Sequence, residues 1–112
     1  MFLVTIDHRG AVPILNLKGD LILDYVEHVD EVWNRVKEGQ PQAIALNFKD
    51  LEQIDSAGLG SLIRFHYESK DKNIELILLD PSPEILSLFE VAGIHILFTI
   101  VTRAQFEADH PA

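Results

Sequence analysis

Two hydrophobic periods alternate along this chain. Phe2 to Asp7 and Val12 to Lys18 carry the short-period pattern of strands, and His8-Arg9-Gly10 between them reads as a turn. Pro13 has no N–H to donate, which places it at a strand start, an edge or a bulge. Val26, Val29, Trp33 and Val36 then recur at spacings of three and four and predict a helix from about Asp24 to Glu38, stopped by Gly39 and Pro41. Ala43 to Phe48 is a short apolar run, read as a buried strand. Ala57 to Lys70 predicts a second helix, with Leu59, Leu62, Ile63 and His66 on one face.

Ile74 to Leu79 is continuously apolar, as a central strand covered on both sides would be. A third helix follows. Ser82 is its predicted cap, Pro83 its first residue, Ile85, Leu88, Phe89 and Ala92 its apolar face, and Gly93 its stop. Ile96 to Ile100 predicts the last strand, and Thr102 with Gln105 has capping-box spacing for a short final helix. The order is β-β-α-β-α-β-α-β-α. It predicts an α/β fold with a mixed sheet, parallel in its core strands, about four helices, and an opening hairpin at an antiparallel edge.

Composition narrows the function classes. A length of 112 residues with 47% apolar content suits one domain, residues 1–112, with its own core. There is no cysteine, so no disulfide is expected. The apolar runs fall far short of the roughly 20 residues of a membrane span. The N-terminus lacks the basic and long apolar regions of a signal peptide, so the default location is the cytoplasm and no membrane insertion is expected. The net charge of −9, much of it between Asp20 and Glu38, would repel a phosphate backbone and argues against direct nucleic-acid binding. The same acids either solubilise a helix face or form a docking surface for a basic partner.

The segment with a mechanism in it is Leu51 to Gly60. Asp55 and Ser56 are both good helix-cap residues, and Gly58 and Gly60 follow in the first turn. A glycine there costs up to about 1 kcal/mol relative to alanine, so helix stability alone does not explain the pair. Small neighbours leave a serine hydroxyl open to another protein, and the N–H groups of a helix end favour an added phosphate. Gly58 and Gly60 make neither a dinucleotide fingerprint nor a P-loop, Ser56 is not in a nucleophile elbow, and no histidine pair has metal-ligand spacing. No enzyme and no cofactor are expected.

Asp55-Ser56-Ala57-Gly58-Leu59-Gly60, set after the third strand, resembles the signature of the anti-sigma factor antagonists, the stand-alone STAS domains. The resemblance runs from Val12 to about Phe106. It takes in Leu17-Lys18-Gly19-Asp20, Ala45-Leu46-Asn47-Phe48 and Ser82-Pro83. It implies that Ser56 is phosphorylated by a partner, an anti-sigma factor with serine kinase activity. It also implies that a metal-dependent serine phosphatase reverses the modification. Asp20, Ile22, Asp55, Ser56, Gly58, Leu59 and Gly60 would face that partner. One departure stands out. Family members often carry Gly-Glu-Leu-Asp after the second strand, whereas this chain has Gly19-Asp20-Leu21-Ile22, with an apolar residue in place of the last acid. The resemblance also allows a second role, a constitutive scaffold subunit of a stress-signalling assembly or a lipid-transport ABC complex.

Overall fold

A computed structural model describes residues 1–112. Strands β1 (Phe2–Arg9), β2 (Val12–Leu21), β3 (Ala43–Ile54), β4 (Glu75–Leu79) and β5 (Thr99–Val101) form one sheet in sequential order. The β1–β2 pair is antiparallel and every later pair is parallel. Helices α1 (Val26–Glu38), α2 (Ser56–Asp71) and α3 (Pro83–Ala92) connect the parallel strands, and α4 (Arg103–Asp109) follows β5. The mixed α/β order read from the two hydrophobic periods is the order of the fold.

Side-chain alternation assigns the layers. Leu15 and Leu17, Ile44, Leu46 and Phe48, and Leu76 and Leu78 point to one face. There they meet Trp33 of α1, Phe65 of α2 and Phe89 of α3 in the main core. Their neighbours Ile14, Ala43, Ala45, Ile77 and Leu79 point to the other face, under Phe106 of α4. Residues Leu76 to Leu79 are therefore buried on both sides, which is why that strand reads as an unbroken apolar run.

Several boundaries differ from the sequence reading. The helix expected from Asp24 opens instead with a 3-10 turn, Leu23–Tyr25, and α1 proper starts at Val26. Strand β3 continues six residues past Phe48 because β2, running to Leu21, gives it a partner out to Ile54. Ile74 is buried but lies just outside β4. The strand expected over Ile96 to Ile100 is Thr99–Val101, because His95–Leu97 forms a 3-10 turn after Gly93. Ala92, expected on the apolar face of α3, is exposed, while Ile85 and Phe89 are buried.

The caps follow the expected chemistry. The Ser82 hydroxyl accepts the Ile85 N–H at 3.2 Å, and Gly93 takes φ +72°. The Thr102 hydroxyl accepts the Gln105 N–H at 3.1 Å. The box is not reciprocal, since the Gln105 amide donates to Asp109. Pro13 is opposite His8, one residue before β2 meets β3 at Ile14, so its missing N–H removes no bond from the parallel ladder.

Candidate functional site

The end of β2 and the start of α2 form one small surface. Two register shifts, between Asn16 and Lys18 and between Gly19 and Asp20, each put an extra residue into β3 and bend it against β2. Gly19 has φ +95°, and a side chain there would collide with the Met1 carbonyl, so glycine is required. The bend brings buried Leu21 beneath the first turn of α2.

Asp55, rather than Ser56, is the N-cap of α2. Its Oδ1 accepts the Gly58 N–H at 2.9 Å, and its Oδ2 accepts the Leu23 N–H at 3.0 Å. Its own N–H donates to the Leu21 carbonyl at 3.3 Å. The hydrogen bonds from Gly58 and Leu23 hold the Asp55 carboxyl below the usual aspartate range, because they are made to the charged form. This residue ties three backbone segments together and is a positioning residue more than an exposed contact.

Ser56 is the first residue of α2, and it is exposed. Its hydroxyl makes no hydrogen bond within the chain, because Asp55 does the capping. The two glycines divide the roles read from the sequence. A Cβ on Gly58 would run into the Leu21 carbonyl and the Ile54 side chain, so Gly58 serves close packing. A Cβ on Gly60 would meet nothing within 4 Å. Gly60 lies one turn on from Ser56 and leaves the helix surface beside the hydroxyl bare.

Of the other expected site residues, Ile22 and Leu59 are half-buried, and Leu59 packs on the rim of the main core. Asp20 is opposite Gln53, and its N–H donates to the Met1 carbonyl at 2.8 Å. No hydrogen bond joins Asp20 to Ser56. The sequence reading passed over Leu23. It is 67% exposed, although its N–H is held by Asp55, and it is the outermost apolar side chain of the surface. Strand alternation carried past buried Leu21 would have placed Leu23 inside as well, so no signal in the sequence marked it as exposed.

The nearby charge is acidic. Asp24, Glu27 and Glu52 are exposed around this end of the molecule. Arg64, two turns along α2, is engaged by Asp30 and Glu68. Glu68 also accepts the Trp33 Nε1–H and Lys37 Nζ, each at 2.9 Å. Burial pushes the Glu68 carboxyl up, but the hydrogen bonds from Lys37 and Trp33 and the charges of Lys37 and Arg64 outweigh it and leave the group below the usual range. This cluster clamps α1 to α2 and holds the Ser56 helix in place. No helix is long and apolar enough to cross a membrane.

Known structures share this architecture. The anti-sigma factor antagonist SpoIIAA in its unphosphorylated form is 24% identical, with 97% of this chain and 94% of that one covered, at a TM-score of 0.71. The phosphorylated form of the Bacillus protein gives 24%, 97%, 98% and 0.72. An anti-sigma factor antagonist from Mycobacterium paratuberculosis is 15% identical over 100% of this chain and 96% of that one, at a TM-score of 0.80. A sulfate transporter family protein from Wolinella succinogenes is 16% identical over 89% and 84%, at 0.75. At these identities the likeness is one of fold. The sequence itself matches the family model of the STAS domain over residues 4–106. With that match running from within β1 to beyond β5, the chain belongs to the STAS domain family.

Proposed function

We propose that this protein is an anti-sigma factor antagonist, a regulatory binding module whose partner is an anti-sigma factor with serine kinase activity. Phosphorylation of Ser56 releases the partner, and a metal-dependent serine phosphatase restores binding. The chain itself catalyses nothing in this scheme, which operates in the cytoplasm.

The observation that carries the reading is the division of labour between Asp55 and Ser56. Asp55 caps the helix, so the Ser56 hydroxyl is left without a structural task, exposed beside bare Gly60. The partner-facing surface comprises Ser56, Leu59, Gly60, Ile22 and Leu23, with Asp20 at its margin and Asp55 and Gly58 holding its shape. Its acidic surroundings suit a partner with basic groups around an apolar contact. SpoIIAA, an anti-sigma factor antagonist of the same fold, is known in an unphosphorylated and a phosphorylated form.

A phosphate adds about −1.5 to −2 charges at pH 7. The N-terminus of α2 tolerates an anion there, but a close-packed partner surface must desolvate it, at a cost of several kcal/mol when it is left unpaired. Since about 1.4 kcal/mol is tenfold in affinity, binding falls by roughly a hundredfold or more. Calorimetric titration of wild type, Ser56→Ala and Ser56→Asp against the candidate anti-sigma factor tests this. Tight binding by the first two and weak binding by the third is expected, and equal affinities for all three would overturn the switch.

A second reading, a constitutive STAS subunit of a stress-signalling assembly or a lipid-transport ABC complex, draws on the fold alone, which a sulfate transporter family protein also shares. Equal affinities in the same titration would favour it.

A further inference from the structure

The sheet has two unlike edges. Strand β5 offers three residues, flanked by a 3-10 turn and α4. Strand β1 offers eight, paired to β2 without a bulge from Phe2 to Arg9. It holds no proline, lysine or glycine, the residues that commonly blunt a free edge. Its charges are Asp7 and Arg9, which balance, in a chain of net charge −9. Leu3 is 49% exposed on one face and Ile6 41% exposed on the other.

The hydrogen-bond phase shows which backbone groups are free. The Asp20 N–H donates to the Met1 carbonyl at 2.8 Å, which makes Met1 and Asp20 a hydrogen-bonded pair. By alternation Leu3, Thr5, Asp7 and Arg9 also bond to β2. Phe2, Val4, Ile6 and His8 therefore turn their N–H and C=O groups away from the sheet.

We infer that β1 pairs antiparallel with β1 of a second copy of this chain, with Thr5 opposite Thr5 on the two-fold axis. That register sets Phe2 across from His8 and Val4 across from Ile6. All four outward residues of each copy are then paired, for about eight main-chain hydrogen bonds. A shift of two residues in either direction leaves an outward residue of each copy unpaired. The side chains agree with the register. Val4 meets Ile6 twice, Thr5 meets Thr5, and Asp7 stands opposite Leu3 rather than another acid. A groove of about 340 Å³ lined by Ile6, His8, Arg35 and Val36 leaves room on the helix side of the edge. The two-fold axis is perpendicular to the sheet, so the two Ser56 surfaces point to opposite ends and both stay open. The pairing does not depend on the Ser56 reading.

The absence of cysteine permits a direct test. Thr5 and its copy form a non-hydrogen-bonded pair with Cα atoms about 4.5 Å apart, within disulfide range. Leu3 is four residues along the strand from its own copy, roughly 13 Å away. Thr5→Cys should oxidise to a disulfide-linked dimer and Leu3→Cys should not. In sedimentation velocity wild type should show twice the monomer mass, and Ile6→Lys the monomer mass with the folded circular-dichroism spectrum retained. Wild type that stays monomeric at high concentration would overturn the pairing with a second copy. Equal cross-linking of the two cysteine variants would overturn the register.

Discussion

The Asp55 carboxylate and the Leu23 backbone N–H meet at 3.0 Å, which fastens the turn after β2 to the first turn of α2. The other carboxylate oxygen is on the Gly58 N–H. One side chain thus fixes an apolar tip and a helix end relative to each other. Asp55→Ala should lower the melting temperature more than Asp55→Asn, which keeps an oxygen acceptor.

The same contact has a pH signature. The folded-state pKa of Asp55 lies below its unfolded value, which is about 3.9. Its stabilising contribution is therefore fully present above that unfolded value and is lost as pH falls through the lower folded value. Thermal melts of wild type and Asp55→Asn should differ at neutral pH and converge in strong acid. A constant gap across the acid range would show that the charge of Asp55 contributes nothing.

Gly58 and Gly60 should respond to alanine with opposite signs. The new methyl at Gly58 meets the Leu21 backbone, and overpacking of this kind costs about 1–3 kcal/mol. At Gly60 it meets open space, and the helix gains up to about 1 kcal/mol from the better residue. Urea denaturation of the two variants checks the split.

The clamp between α1 and α2 depends on an acceptor at Glu68. Glu68→Ala leaves the Trp33 indole N–H and Lys37 without their partner, a loss of about 1–3 kcal/mol. Glu68→Gln can still accept from Trp33 and should lose less. Trp33 is the chain's one tryptophan, so its fluorescence reports the unfolding of both variants directly.

Leu23 separates binding from stability. It is 67% exposed, so Leu23→Asp should leave the melting temperature near that of wild type while weakening the anti-sigma factor in calorimetry. Ile22→Asp, at a half-buried position, should weaken binding and also cost some stability. Ser56→Asp should melt close to wild type, since the helix dipole favours an anion by about 0.3–1 kcal/mol. A fall of several degrees would mean that Ser56 has a structural role.

The element order was legible in the sequence because it rests on local periods. Trp33 and Val29 fall on one helical stripe, and Leu76 to Leu79 form an apolar run, whatever the rest of the chain does. The caps of α3 were legible for the same reason, since Ser82, Pro83 and Gly93 act within a single turn. Ser56 was legible as a candidate because aspartate, serine and two glycines stand together in a short segment. What the sequence left open depended on distant partners. Strand β3 reaches Ile54 only because β2, about thirty residues earlier, lies alongside it. Asp55 rather than Ser56 is the cap, and its second oxygen holds the N–H of Leu23, 32 residues earlier in the chain. Gly58 and Gly60 look alike in the chain, but only one of them lies over Leu21. Local spacing determines which elements form. Which glycine is packed, which hydroxyl is free and which strand edge is open are set by groups far apart in sequence, and only the folded sheet brings those together.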